Sequence, residues 1–188
     1  MGGELWPVNA WAVEGPEGTI LVDTGMVDST PELDAEWGPV LREWPPIEPV
    51  AVINTHLHFD HCGGNRRFAG TPTYVQRIEY EAARAPHYLE EWVRFPGAAY
   101  ELLDGQAEPF PGVRVVPTPG HSPGHQIVVV ETDEGPVVLG GDVTYSMGEL
   151  IRGEEPNFRL IHELRPRRVY LAHARRPWEP GSPAPGVD

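Results

Sequence analysis

The sequence predicts an α/β fold in a single domain. Short apolar runs rich in β-branched residues recur along the chain and alternate with segments of helical composition. The 188-residue length suits one domain with a substantial core, and 40% hydrophobic and 22% charged residues are an ordinary globular balance. Because no internal repeat or interdomain linker is visible, we predict one compact domain at 1–176, followed by a flexible tail rich in proline and glycine at 177–188.

The first predicted elements are two strands joined by a short turn of glycine and proline. WAVE (11–14) and TILVDTG (19–25) predict a β-hairpin. A weak helical pattern follows at 31–43 and begins with a proline. The β-branched run PVAVINT (49–55) is too short for a good helix and predicts a buried strand. Residues after this strand should therefore lie at its carboxyl end, where open α/β sheets place their ligand crevices.

The alternation continues through the second half of the chain. TPTYVQR (71–77) predicts a strand, and the helix-leaning segment 78–95 should be broken by Pro86. Three strands, a helix and a final strand are then predicted at 112–118, 126–132, 135–141, 157–164 and 168–173.

Composition excludes several classes of partner. The formal net charge of −14 disfavours polyanions such as DNA or RNA. No apolar run reaches the roughly 18 residues that a membrane span needs. The start, MGGELWPVNAW, lacks the pattern of a secretion signal, and the single cysteine, Cys62, excludes an internal disulfide. We therefore expect a cytoplasmic protein without a nucleic-acid or membrane partner.

The stretch THLHFDH (55–61) contains a cluster of potential metal ligands. Alternate residues of an extended segment point the same way, so His56 and His58 present two imidazoles to one point. Asp60 and His61 are adjacent and project differently, so they can serve a second point nearby. Histidines with a neighbouring carboxylate suit Zn²⁺ or a similar divalent ion.

Further ligand candidates follow other predicted strands. His121 follows GVRVVPTPG, Asp142 follows GPVVLGG, and His173 follows RVYLA. With Asp142 as a bridge, the two predicted groups are His56, His58 and His121 for one ion, and Asp60, His61 and His173 for the other. Two ions roughly 3.5–4 Å apart would activate a shared water near neutral pH. Zinc is the expected metal, while Fe²⁺, Mn²⁺ and Co²⁺ suit the same ligands.

The ordered set of motifs resembles the metallo-β-lactamase superfamily. The motifs are LVDTG (21–25), HLHFDHCGG (56–64), PGHSPGH (119–125), GGD (140–142) and the late His173. The resemblance implies an αββα four-layer sandwich with a dinuclear metal site along the edge between two sheets. It also implies that Asp23 lies beside a metal-ligating histidine, where it would fix the orientation of the imidazole.

Within this superfamily, the chain is most similar to the N-acyl homoserine lactonases, which are quorum-quenching enzymes. The similar segments are EGTILVDTGM (17–26), HLHFDHCGGN (56–65), VQRIEYEAA (75–83) and TPGHSPGHQ (118–126). Since VQRIEYEAA is not a metal motif, its match favours this branch specifically. The resemblance implies that Tyr145 contacts the substrate carbonyl and that Phe59 lines the substrate pocket.

The mechanism that the resemblance implies is hydrolysis of a small-molecule lactone or ester. A hydroxide bridging the two metals would attack the carbonyl, whose oxygen is polarised by one metal and by Tyr145. Asp60 would carry the proton to the departing alkoxide. These lactonases generally have more chain before Leu21 and between Gly25 and His56, in segments that help shape the acyl pocket and the dimer contact. Acyl-chain preference and a homodimer are therefore left open.

Two alternatives share the same residues. A glyoxalase II-like thioester hydrolase (hydroxyacylglutathione hydrolase) would use every metal ligand, but those enzymes bind glutathione with a basic C-terminal extension, and 15 residues follow His173. A non-catalytic metal-binding module would be expected to have lost a ligand. Other branches fit less well, because redox-active di-iron members carry glutamate in place of His58 and β-lactamases usually carry cysteine in place of Asp142.

The remaining polar candidates have plainer interpretations. Cys62 is expected to be a small packing residue, although it follows a ligand directly. His125 is expected to make structural hydrogen bonds rather than bind metal. His87 and His162 lie in helix-leaning segments, where surface or hydrogen-bonded positions are expected.

Overall fold

Ten strands form two five-stranded sheets in the computed structural model, which describes residues 5–181. The first sheet contains, in spatial order, β1 (Trp11–Gly15), β2 (Gly18–Val22), β3 (Ala51–Ile53), β4 (Pro72–Gln76) and β5 (Ala99–Leu103). The second contains β6 (Ala107–Phe110), β7 (Val113–Pro117), β8 (Gln126–Val130), β9 (Val137–Leu139) and β10 (Arg168–Tyr170), which are also neighbours in chain order.

Both sheets are mixed. β1 and β2 form the predicted antiparallel hairpin, in which Trp11 pairs with Val22, while β2 to β5 are parallel. In the second sheet β6 to β9 are antiparallel, and β10 is parallel to β9. Because β3 runs parallel to both of its neighbours, the residues after Ile53 emerge at the carboxyl edge of that sheet.

Within residues 5–181, six short helices and a 3₁₀ turn connect the strands. They are α1 (Pro31–Glu36), α2 (Phe59–Cys62), the 3₁₀ turn Asn65–Phe68, α3 (Arg77–Ala82), α4 (Glu90–Val93), α5 (Met147–Arg152) and α6 (Pro156–Glu163). The predicted interruption near Pro86 is confirmed, since α3 and α4 lie on either side of it.

The prediction of a helix over 31–43 was too long. Thr30 caps α1 by accepting a hydrogen bond from the Leu33 amide at 3.3 Å, but the helix ends at Glu36. Gly38 then adopts a φ of 54°, and the next residue is a proline, so the helical path cannot continue.

Strands β5 and β6 were missed because each lies at the edge of its sheet. Every residue of both strands is half-buried or exposed, so neither produces an apolar run. β6 also contains Pro109 and pairs irregularly with β7, as edge strands tolerate.

Three buried clusters separate the layers. Ile20, Val22 and Ile53 of the first sheet pack against Val115 and Val128 of the second, which places one core between the sheets. Val128 belongs to this core, whereas Ile127 and Val129 belong to the cluster on the opposite face of the second sheet, because successive side chains of a strand point to opposite faces.

The outer faces of the sheets are covered by helices. Leu150 of α5 and Ile161 of α6 pack on the second sheet, and Val93 of α4 packs against Val75 of the first. The layers are therefore helix, sheet, sheet and helix, which confirms the predicted αββα sandwich in one compact domain.

The end of the described chain contacts the second sheet. Trp178 forms two backbone hydrogen bonds of 2.8 Å with Val169 and packs against the cluster beneath α5 and α6. The second residue of the predicted flexible tail at 177–188 is thus attached to the sheet, and 182–188 lie outside the described residues. Among the described residues, no helix is long and apolar enough to cross a membrane.

Candidate metal centre

The predicted ligands meet where strands of both sheets end. The loop after β3 carries the histidine motif, and the loop between β7 and β8 carries His121. Asp142 and His173 each lie three residues beyond the last residue of a strand, β9 and β10 respectively. The edge between the two sheets therefore gathers all seven predicted donors, as strand-end placement suggested.

Three histidines form the first donor group. His56 Nε2 lies 3.0 Å from His58 Nδ1 and 3.1 Å from His121 Nε2, and the last two nitrogens are 2.9 Å apart. Around a tetrahedral zinc ion with Zn–N bonds of roughly 2.0–2.1 Å, neighbouring nitrogens are separated by about 3.3 Å. The spacing therefore suits three ligands of a single ion.

The second donor group combines two histidines with a carboxylate. Asp60 Oδ2 lies 3.6 Å from both His61 Nε2 and His173 Nε2. The three donor atoms fall within 4.8 Å of one another, as do those of the first group.

Asp142 lies between the two groups. Its Oδ1 is 3.3 Å from His61 Nε2, and its Oδ2 is 3.2 Å from His173 Nε2 and 3.5 Å from His121 Nε2. This carboxylate therefore reaches histidines of both groups, which is the arrangement expected of a bridge.

Two buried atoms of the site have no hydrogen-bond partner within the described part of the chain. They are His61 Nε2 and Asp142 Oδ1, which face each other. Leaving a buried polar atom unpaired costs free energy, and a cation held between them would satisfy both. The residues present thus fit a divalent metal in three respects: the type of donor atom, the spacing of the donors, and the two buried polar atoms that lack a partner.

Asp23 orients His61. Its carboxylate is fully buried and accepts hydrogen bonds from His61 Nδ1 at 2.8 Å and from the amide and hydroxyl of Thr55, each at 2.7 Å. Because a carboxylate only accepts, His61 must carry a proton on Nδ1, so Nε2 is the nitrogen that it turns toward the site. Asp23 adopts a left-handed φ of 57°, so the chain takes a strained turn to place it.

The electrostatics of the histidines divide along the two groups. Burial and neighbouring imidazoles lower the pKa of His56, and burial lowers that of His58 to about 4. Burial acts against the charge of His61 as well, but Asp60 and Asp23 raise its pKa, and Asp142 likewise raises that of His173. The first group is therefore neutral and ready to bind a cation, whereas a metal at the second group competes with protons.

His125 plays the structural part expected of it. Its Nε2 accepts the Asp142 amide at 3.1 Å, and its Nδ1 pairs with the Thr118 hydroxyl at 2.8 Å. The preceding Gly141 has a φ of 52°, and a Cβ there would lie 2.7 Å from the Thr55 side chain. The histidine and the glycine together fix the backbone that presents Asp142.

Aromatic side chains lie close to the donor groups. The Tyr145 hydroxyl lies 3.2 Å from His121 Nδ1, and its side chain is half exposed. The Trp6 ring lies 6.3 Å from the rings of both Tyr145 and His173. Phe59, half-buried inside the histidine motif, lies 6.2 Å from exposed Trp37. Sequence reasoning missed Trp6, because it belongs to no motif and only the fold brings its ring beside His173.

The plainer interpretations agree with the structure. Cys62 is buried with its thiol donating to the Leu57 carbonyl at 3.3 Å, and His162 Nε2 pairs with the Leu150 carbonyl at 2.9 Å. His87 is exposed, although its ring lies 6.0 Å from that of His58.

The fold and the donor groups define a metal-binding class of αββα proteins, and sequence comparison identifies the family. The family model described as the metallo-beta-lactamase superfamily matches residues 3–179. The chain belongs to this superfamily.

Similar curated proteins are N-acyl homoserine lactonases. One from Bacillus sp is 38% identical over 169 residues, covering 77% of this chain and 67% of the relative. One from Bacillus cereus is 38% identical over 163 residues, covering 74% of this chain and 65% of the relative. The matched region thus spans about two thirds of the length of these relatives.

A solved structure has a similar fold. It is an N-acyl homoserine lactone hydrolase with the product N-hexanoyl-L-homoserine bound at its catalytic metal center. It superposes with a TM-score of 0.73 at 31% identity, covering 92% of this chain and 84% of that chain.

Proposed function

We propose that this protein is a metal-dependent hydrolase that opens lactone rings, with N-acyl homoserine lactones as the substrate class. The observation that carries the proposal is the pair of donor groups joined by Asp142, with the Tyr145 hydroxyl beside the first group. The 38% identity to N-acyl homoserine lactonases supports this choice of substrate.

Two divalent ions would occupy the donor groups, with zinc expected and Fe²⁺, Mn²⁺ or Co²⁺ suited to the same ligands. One group is His56, His58 and His121, the other is Asp60, His61 and His173, and Asp142 contributes to both. When bound, such ions supply Lewis acidity and lower the pKa of water, so that a nucleophile is available near neutral pH.

Tyr145 is proposed to bind the substrate carbonyl. Burial and Asp142 raise the pKa of this tyrosine to about 12, so its hydroxyl keeps its proton at neutral pH. It can therefore donate a hydrogen bond to the carbonyl oxygen as negative charge develops there, which is the interaction that accelerates acyl transfer.

Asp60 and Phe59 are proposed to serve the leaving group and the acyl chain. The Asp60 carboxylate lies 3.6 Å from both His61 and His173, where it could accept the proton of the attacking nucleophile and pass it to the departing alkoxide. Phe59 presents an apolar ring beside the motif, where a hydrocarbon chain would be shielded from water.

The experiment is a hydrolysis panel on protein of measured metal content. N-hexanoyl and N-decanoyl homoserine lactones are compared with S-lactoylglutathione. Mass spectrometry follows ring opening of the lactones and hydrolysis of the thioester. We expect a higher kcat/KM for the lactones, loss of activity with a chelator, and recovery when the ion is restored. Metal-loaded protein that opens neither lactone would refute the proposal, and a preference for the thioester would replace it with a glyoxalase II-like activity.

A further inference from the structure

A fully buried carboxylate lies behind the first donor group. Glu79, on α3, has no exposed surface and accepts four hydrogen bonds, two on each oxygen. Oε1 accepts from the Leu57 amide and the Tyr88 hydroxyl, each at 3.0 Å. Oε2 accepts from the Ser122 hydroxyl at 2.8 Å and the Gly124 amide at 2.9 Å. All four partners are uncharged donors, so each oxygen of this buried side chain has two hydrogen-bond partners.

Three of these partners, Leu57, Ser122 and Gly124, belong to the two loops that supply the first group. Leu57 lies between His56 and His58 in the loop after β3, and Ser122 directly follows His121 in the loop after β7. One loop leaves the first sheet and the other leaves the second. The two oxygens of Glu79 therefore hold together the segments whose nitrogens must stay about 3 Å apart.

Tyr88 and Gly124 pack tightly around Glu79. The ring of Tyr88, whose hydroxyl donates to Glu79, lies 5.0 Å from the His58 ring. A Cβ on Gly124 would lie 2.4 Å from the Glu79 amide, so only glycine permits this approach of the loop to α3. The carboxylate thus also holds an aromatic wall against a histidine of the group.

We propose that Glu79 is a positioning residue for the first donor group, which sets the separation of His121 from His56 and His58 and thereby the metal affinity of that group. The proposal rests on the proposed metal centre, but it does not depend on which substrate is hydrolysed. Glu79 is not a ligand in either donor group and acts through the two loops and through Tyr88.

The most informative variant is Glu79→Gln. An amide nitrogen in place of either oxygen faces one hydroxyl, which can rotate, and one backbone N–H, which cannot. The loop of Leu57 or the loop of Gly124 therefore loses its attachment. Replacing a hydrogen-bond partner that orients metal ligands typically lowers metal affinity by about 10–100-fold, and we expect this loss at the first group with the second group unchanged.

Metal binding is measured on chelated protein by calorimetric titration with Zn²⁺ and competition with a chromophoric chelator. His121→Ala, which removes a first-group ligand, provides the reference profile for loss at that group. Glu81→Gln is the matched control, because Glu81 lies two residues further along α3 and is exposed. Unfolding of each chelated variant is followed by circular dichroism.

A Glu79→Gln profile that shifts toward that of His121→Ala supports the proposal. Unchanged binding, or an equal loss at both groups, overturns it, because a purely structural defect does not select one group. If Glu79→Gln does not fold, Tyr88→Phe and Ser122→Ala decide, since each removes one donor and keeps the carboxylate. Both variants should lower the metal affinity of the first group by a smaller factor than Glu79→Gln. Wild-type affinity in both variants overturns the proposal.

These outcomes are separate from those of the hydrolysis panel. If wild-type protein binds two ions and Glu79→Gln binds one of them more weakly, the positioning role of Glu79 is supported even when no lactone is opened. If wild-type protein binds no metal, the proposed function and this inference fail together, and that result is distinguished by the wild-type titration.

Discussion

Substitution of Asp23 by asparagine tests how the protein directs a histidine toward the metal. The amide nitrogen cannot replace Oδ1, because it would then face the Thr55 backbone N–H at 2.7 Å. It must replace Oδ2, which faces the Thr55 hydroxyl at 2.7 Å and His61 Nδ1 at 2.8 Å. The hydroxyl can rotate, but His61 must move its proton from Nδ1 to Nε2 in order to accept the new hydrogen bond.

That change of tautomer blocks the atom that would bind metal. We expect Asp23→Asn to lower affinity at the second donor group by about 10–100-fold, and to destabilise the metal-free fold by roughly 1–3 kcal/mol as charged hydrogen bonds become neutral ones. Calorimetric titration gives the affinity, urea unfolding gives the stability, and ¹⁵N NMR of the imidazoles identifies the tautomer. Asp28→Asn is the matched control, because Asp28 is nearby in sequence and exposed.

An Asp23→Asn protein that binds both ions as tightly as the control would refute this role of Asp23. The role would also be refuted if His61 kept its proton on Nδ1 while metal was lost, since the loss would then have a different cause.

Three further changes test other parts of the site. Tyr145→Phe should lower kcat for lactone opening by roughly 10²–10³-fold with unchanged metal content, because one hydrogen-bond donor to the developing charge is removed; unchanged kcat would exclude Tyr145 from catalysis. Gly141→Ala should cost roughly 1–3 kcal/mol in urea unfolding and lower the bound metal, because a φ of 52° and a contact of 2.7 Å both oppose a Cβ there; wild-type stability and metal content would contradict this. Burial and the neighbouring His121 hold the pKa of His125 at about 3, below its ordinary value of 6.5. As the pH falls, His125 is therefore protonated in the unfolded chain at a higher pH than in the folded protein, which favours unfolding. Chelated wild-type protein should therefore lose more stability between about pH 6.5 and 3 than His125→Gln does, and parallel urea-unfolding profiles for the two proteins would argue against it.

The candidate metal ligands could be predicted because their placement follows from motif spacing and strand ends. His56 and His58 follow a buried strand at alternate positions, and Asp142 and His173 each follow a strand that parallel pairing brings to the same edge. The spacing of the motif and the positions of the strand ends therefore determine most of the arrangement of the donor groups.

The residues that support the ligands could not be predicted in the same way. Glu79 lies 22 residues from Leu57 and 43 from Ser122, and only the packing of α3 against both loops brings these groups together. Trp6 lies far from His173 in the chain, yet the fold places the two rings side by side. Edge strands β5 and β6 were missed for a related reason, since half-exposed strands have no apolar run to reveal them.

Lactone turnover as a function of bound metal tests the central claim most directly. Chelated protein is titrated with Zn²⁺, and the kcat for N-hexanoyl homoserine lactone is measured at each measured metal content. The two donor groups joined by Asp142 predict activity that rises to a plateau at two ions per chain. Protein that holds two ions and opens no lactone, or chelated protein that is fully active, would contradict the account.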